Sequence, residues 1–370
     1  MIPARTDVFV IGGGPAGLAA AIAARLRGFE VVVADAGHPP IEKACGEGLM
    51  PNALEALERL GVEIRLDEGF LFRGVRFIHE GDVATADFPA GSGCGIRRVG
   101  LHALLAKRAC EVGVRLAWGA RVTAIGDGSV SIAGQEVRCR WTIGADGQNS
   151  RVRCWTGLEA VRTESCRFGF RRHYRIAPWS DAVEIHWGQG RQIYVTPVRA
   201  AEVSIALLTA DSHERLDDAL RCFPELQRRL AGAVWLTAER GAVTAARRLQ
   251  HVFRESTVLI GDASGSVDAI TGEGLCLSFE QAIALADALA GGDLRRYEAA
   301  HRRLMRRPVF MERLMLPLDR SAGLRRRVIR ALSSNPEIFA SLLAMHIGEL
   351  AWHDFISDAM LPLGWRVLTA

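Results

Sequence analysis

The run Val8-Phe-Val-Ile-Gly12-Gly-Gly14-Pro-Ala-Gly17 constrains this chain more than any other stretch. A short apolar strand at residues 7–11 ends on glycine, and residues 15–27 continue as an alanine-rich helix. Residues 30–34 read as a second, valine-rich strand, so the chain opens with a βαβ unit. Each glycine has a physical task. Gly12 permits the tight turn, Gly14 lets backbone approach a pyrophosphate, and Gly17 allows close helix–strand packing. Phosphates would sit at the helix N-terminus, where free N–H groups and the dipole favour anions. Asp35 ends the second strand, at the spacing from which a carboxylate accepts hydrogen bonds from a ribose. This unit predicts a dinucleotide site but does not choose between NAD and FAD.

Two later motifs make that choice. Gly144-Ala-Asp146-Gly and Gly261-Asp262-Ala-Ser-Gly265 each end a strand-like run, and each pairs aspartate with glycine. Together with the opening glycines they resemble flavoproteins of the para-hydroxybenzoate hydroxylase and geranylgeranyl reductase superfamily. The resemblance runs to about residue 290 and is looser in the middle of the chain. It implies FAD as cofactor, with Asp262 holding the ribityl chain and Arg98, in Arg98-Val-Gly-Leu101, also touching FAD. His102 stands where that family carries aspartate. Asp146 is taken as a further cofactor contact, although aspartates in such places also serve as turn or helix-cap residues.

After the second aspartate motif comes Thr271-Gly-Glu-Gly-Leu275, opening a helix. Gly272 and Gly274 would bring backbone N–H groups to the flavin edge, where a helix N-terminus stabilises the anionic reduced ring. This pattern is more similar to geranylgeranyl reductases than to aromatic hydroxylases. Lys43-Ala-Cys-Gly-Glu-Gly-Leu49 resembles an early Cys-Gly loop of the same reductases, with Glu47 in place of the commoner glycine. Cys45, close to Lys43, is a candidate catalytic thiol by proton donation or flavin contact, or else a small buried space filler. Glu47 is the second catalytic candidate, and Glu273 is a further acid.

The expected fold class is α/β: a Rossmann-type FAD-binding domain with an inserted antiparallel β-sheet substrate domain and a C-terminal helical segment. Residues 1–161 begin the FAD-binding domain and lend some strands to the substrate sheet. Residues 162–246 form the substrate domain, 247–292 complete the FAD-binding domain, and 293–370 are helical. Runs in the substrate domain alternate in polarity, as a sheet with one wet face does. Their inward positions include Arg171, His173, Trp187 and Tyr194, and for His173, in the alternating Arg-Arg-His-Tyr-Arg run, a solvent-facing reading stands beside the inward one.

Composition narrows the rest. Hydrophobic residues make up 49% of 370 and charged ones 24%, enough for a large core. The eight cysteines show no CxxC pair and no zinc spacing, which predicts reduced thiols, no metal and a cytoplasmic location. No stretch reaches about 18 uninterrupted apolar residues. The arginines crowded into residues 295–330 suggest a solvated helical face, or a basic surface for a membrane or a carrier protein. No nucleic-acid motif accompanies them. The expected activity is that of an FAD-dependent oxidoreductase acting on a hydrophobic small molecule of isoprenoid, polyketide or aromatic type. It would hydrogenate C=C bonds by hydride transfer from reduced flavin N5, with NAD(P)H as reductant. The alternative is a flavin monooxygenase that hydroxylates an aromatic or polyketide substrate with NAD(P)H and O2.

Overall fold

The computed structural model describes residues 2–158 and 160–369. Its first sheet has five parallel strands in the spatial order Thr257–Leu259, Gln135–Gly144, Arg5–Ile11, Val31–Asp35 and Arg115–Trp118. The chain runs outward from Arg5–Ile11 on one side and returns on the other, so strand order reverses there. In parallel sheets the crevice beside such a reversal, at the carboxyl ends of the strands, is where ligands bind. Ile11 lies opposite Gly144 and Ala34, and Gly144 lies opposite Leu259. The register therefore brings the glycine loop, Asp35, Asp146 and Asp262 to one edge, although they are far apart in sequence.

These strands are apolar along their length because both sheet faces are covered. Val8, Val10, Val31 and Val33 pack beneath helices Pro15–Leu26, Arg98–Glu111 and Gly274–Ala290. Phe9, Ile11 and Val32 point the other way, onto Val122, Val130 and Val152.

The second sheet runs Val234–Trp235, Ala160–Arg175, Glu202–Thr209, Arg191–Arg199, Val183–Gly188, Gly74–His79 and Asp82–Asp87, with Arg240–Leu249 also paired to Ala160–Arg175. Its pairings are antiparallel except for Val183–Gly188 against Gly74–His79. Gly74–His79 and Asp82–Asp87, early in the chain, thus belong to this second sheet.

The C-terminal helices are a wall of that same layer. Helix Leu294–Arg320 starts where Asp293 accepts a hydrogen bond from the Arg295 amide at 2.9 Å. Helices Ala322–Ser334 and Pro336–Ile347 follow, and Val328, Ile329, Leu332 and Phe339 pack against Val75, Ala84 and Ile185. Each such side chain, fully buried, contributes about 1.5–3 kcal/mol, whereas an exposed ion pair contributes about 0–1 kcal/mol. The ion pairs of Arg326 with Glu80 and Arg330 with Asp82 therefore trim an attachment that apolar burial makes. Arg325 is buried and donates to the Leu318 carbonyl at 2.8 Å. The arginine tract is thus partly internal, not one solvated face. Among the described residues, no helix is long and apolar enough to cross a membrane.

Candidate functional site

One cavity of about 1150 Å3 begins at the carboxyl edge of the parallel sheet and ends among the C-terminal helices. A site for one drug-sized ligand is typically about 300–1,000 Å3, so this one has room for a cofactor and a substrate together. Gly12, Gly14, Asp35, Arg98, Asp146 and Asp262 line its first part. Cys45, Glu47, Gly272, Glu273 and Gly274 line the middle, and Met315, Leu332, Phe339, Leu343 and Val367 the far part.

The opening loop is shaped by its glycines. Gly12 has φ +111°, and a Cβ there would lie 2.4 Å from the Ala145 carbonyl oxygen. A Cβ on Gly17 would come within 1.8 Å of the Gly12 oxygen, so helix and turn meet only without one. At Gly14 a Cβ would meet nothing within 4 Å, which leaves backbone open to the cavity. Asp35 braces this loop by accepting from the amides of Gly13 and Gly37, each at 2.7 Å. His102 does the same from the other side, its Nε2 lying 2.9 Å from the Gly13 oxygen. Burial pushes that imidazole's pKa down despite the Gly13 bond, so the ring is neutral where the family has a carboxylate.

Several residues fit a bound dinucleotide. Arg98 lines the cavity, and its Nε is buried without a hydrogen-bond partner. A buried donor normally finds an acceptor, and a phosphate or ring carbonyl would supply one. Gly272, at φ +70°, and Gly274 leave the amide end of helix Gly274–Ala290 open. Asp262 points at the cavity but holds the Lys43 ammonium at 2.9 Å. Asp146 also has a local role. Its carboxylate accepts from Ser150 Oγ and from the amides of Arg151 and Val152, capping helix Arg151–Trp155. Like Asp35, it braces the backbone at the cavity edge while lining the cavity.

The loop carrying Cys45 is tied to the second sheet and to the segment leading into helix Arg98–Glu111. Thr196 Oγ1 donates to the Gly46 carbonyl at 2.8 Å, and the Ile96 amide donates to the Glu47 carbonyl at 2.9 Å. The half-buried Cys45 thiol accepts from the Glu47 amide at 3.4 Å.

Glu47 differs from its expected role. Its φ is +61°, the left-handed region that glycine prefers, which explains why glycine is commoner there. The side chain is only 2% exposed. Its Oε1 accepts from the Arg98 amide at 2.8 Å, its Oε2 from His173 Nε2 at 2.6 Å, and Arg171 Nε lies 3.8 Å away. Burial raises the carboxyl pKa, but His173, Arg171 and the Arg98 amide outweigh it and hold Glu47 ionised. A carboxylate so occupied has no proton to give, which removes Glu47 as a donor. The same network decides the two readings of His173, which is 2% exposed, in favour of the inward one. Arg171 Nη1 donates to His173 Nδ1 at 2.8 Å, leaving Nε2 to carry the proton toward Glu47. Arg171 and His173 are two apart on one strand and so share a face, which the loop bearing Glu47 covers.

Glu273 lies in the opposite condition. It is 6% exposed, and its Oε2 has no hydrogen-bond partner. Burial, reinforced by Glu280 and only partly offset by Arg307, lifts its carboxyl well above the usual carboxylate range.

Comparison with known proteins agrees with this geometry. The FAD binding domain family matches residues 5–292. A menaquinone reductase from Mycobacterium tuberculosis is 31% identical over 318 residues, which covers 78% of each chain. Digeranylgeranylglycerophospholipid reductase 2 from Methanopyrus kandleri is 28% identical over 73% of each chain. A rifampicin monooxygenase from Rhodococcus hoagii is 32% identical, but over 40% of this chain and 33% of its own. A solved flavoprotein/dehydrogenase from Cytophaga hutchinsonii shares the fold, with TM-score 0.81, 20% identity and 98% of each chain covered. The glycine cradle, the unpartnered Arg98 Nε and a match spanning the whole first sheet lead to one conclusion: this chain belongs to the FAD binding domain family and is an FAD-dependent oxidoreductase.

Proposed function

We propose that the protein hydrogenates C=C bonds of an elongated apolar substrate, with NAD(P)H as the reductant of its FAD. The observation that carries this reading is the continuity of the cavity from the two glycine loops into the C-terminal helices. Met315, Leu332, Phe339, Leu343 and Val367 offer no partner for a polar head, so they select hydrocarbon by burial. Bound FAD, when reduced, supplies a hydride. Arg98 and the glycine amides orient the cofactor, the Thr196-tethered Cys45 loop shapes the space beside it, and the helical wall excludes water. Two reductase relatives matching nearly three quarters or more of this chain support this reading over hydroxylation, since the rifampicin monooxygenase match covers 40%.

The test is product mass after anaerobic turnover with menaquinone or a geranylgeranylated lipid. Gain of two hydrogens and no oxygen is expected; an oxygen gained only in air would establish the monooxygenase instead. Cys45→Ser should retain FAD and slow turnover, and an unchanged rate would leave Cys45 as a spacer. The apolar far end and neighbouring arginines also suit contact with a membrane surface or a carrier that presents such a substrate.

A further inference from the structure

We propose that Glu273 and His346 form a buried acid pair in the cavity wall and that Glu273 delivers the proton that completes C=C reduction. The proposal rests on the reductase reading above. Both residues line the cavity, from different parts of the chain: Glu273 at the start of helix Gly274–Ala290, His346 near the end of helix Pro336–Ile347. They are 6% and 7% exposed. Glu273 Oε2 and His346 Nδ1 lie 3.7 Å apart, and neither has a hydrogen-bond partner. The Thr271 backbone, in the same glycine turn, lies close enough to the imidazole to favour its protonated form, though less than burial disfavours it. Two unsatisfied polar atoms facing each other in a largely apolar wall are costly. Such a cost persists most readily where function requires it.

The charge state follows from the surroundings. Arg307, on helix Leu294–Arg320, and Glu280 and Cys276, on the same helix as Glu273, are the other titratable groups around the pair. Burial, then Arg307, push the His346 pKa down to about 4 against the opposing Thr271 backbone, so the ring is neutral. Burial keeps Glu273 protonated despite Arg307. The pair is therefore a carboxylic acid beside a bare imidazole nitrogen, which carries one transferable proton and no net charge.

The chemistry balances. The double bond accepts a hydride, with both electrons, from the reduced cofactor at one carbon. The O–H bond of Glu273 breaks as the second C–H bond forms, and the carboxylate left behind regains a proton from water. General acid catalysis of this kind contributes on the order of 100- to 10,000-fold.

The experiment has two arms on the FAD-loaded protein. Infrared spectra of wild type and Glu273→Gln at neutral pH should differ by one carboxylic-acid carbonyl band, present only in wild type and lost as pH rises. In anaerobic single turnover with menaquinone, Glu273→Gln should slow product formation on the order of 100-fold. It should also abolish the fall in wild-type rate at high pH, while His346→Gln shifts that fall. If Glu273→Gln does not fold, Glu273→Asp carries both arms, with a displaced high-pH limb expected. Absence of the band, or a Glu273→Gln rate and pH profile equal to wild type, overturns the proposal. Wild type that shows the band yet never reduces menaquinone instead contradicts the function proposed above.

Discussion

Two Gly-Glu-Gly triplets, at residues 46–48 and 272–274, line one cavity and shift their glutamate pKa values in opposite directions. Both carboxyls are buried, at 2% and 6% exposure, so burial alone does not separate them. Partners do. Glu47 collects His173, Arg171 and a backbone amide, whereas Glu273 faces an imidazole nitrogen with no hydrogen bond formed. The comparison teaches that a glycine-flanked acid is not itself a proton donor. What sets its pKa is how far the tertiary fold supplies hydrogen-bond donors and charge to offset burial.

The largest expected effect comes from emptying the occupied site. Glu47→Ala strands Arg171 and His173 and should destabilise the protein by about 3–5 kcal/mol in denaturant titration. Glu42, which also pairs with Arg171 at 2.7 Å, sets the lower end. A loss comparable to a surface substitution would break the contrast.

Next come the opposite pH dependences. Glu47, with its pKa depressed, contributes stability that is present above the unfolded value of 4.5 and lost as pH falls through the folded value. Glu273, with its pKa raised, contributes stability that is full below 4.5 and lost as pH rises toward the folded value. Wild type should therefore lose stability relative to Glu47→Gln on acidification and relative to Glu273→Gln on alkalinisation. Thermal melts from acid to alkaline pH check both, and slopes of the same sign would sink the assignment.

A smaller effect isolates backbone from side chain at residue 47. Glu47→Gly removes the same carboxylate as Glu47→Ala but relieves the +61° φ, so it should be the more stable by about 1 kcal/mol. Equal melting points would mean that the left-handed turn carries no strain. The smallest expected change is that of Glu273→Gln at mildly acidic pH, within about 1 kcal/mol, because amide and neutral acid are close in shape and charge.

The cofactor half was largely legible from local pattern. A strand, three glycines and an alanine-rich helix leave few alternatives, and Gly12 and Gly17 occupy positions that exclude any Cβ. Asp146 was legible only as a residue near the site, since a cap and a ligand look alike in one dimension. Alternation left His173 between an inward and a solvent-facing reading, and the loop bearing Glu47, which covers that face, decided for the inward one. The C-terminal helices showed their arginines plainly, yet their apolar stripes proved to be the cavity wall.

By itself, then, the sequence determined the nucleotide-binding turn, the FAD family and the α/β class, because backbone sterics at glycine act over a few residues. Only the tertiary structure decided which way each glutamate's pKa moves and where the apolar part of the cavity lies. Those depend on desolvation and on charges such as Arg171, Arg307 and His346, brought close from elements far apart in the chain.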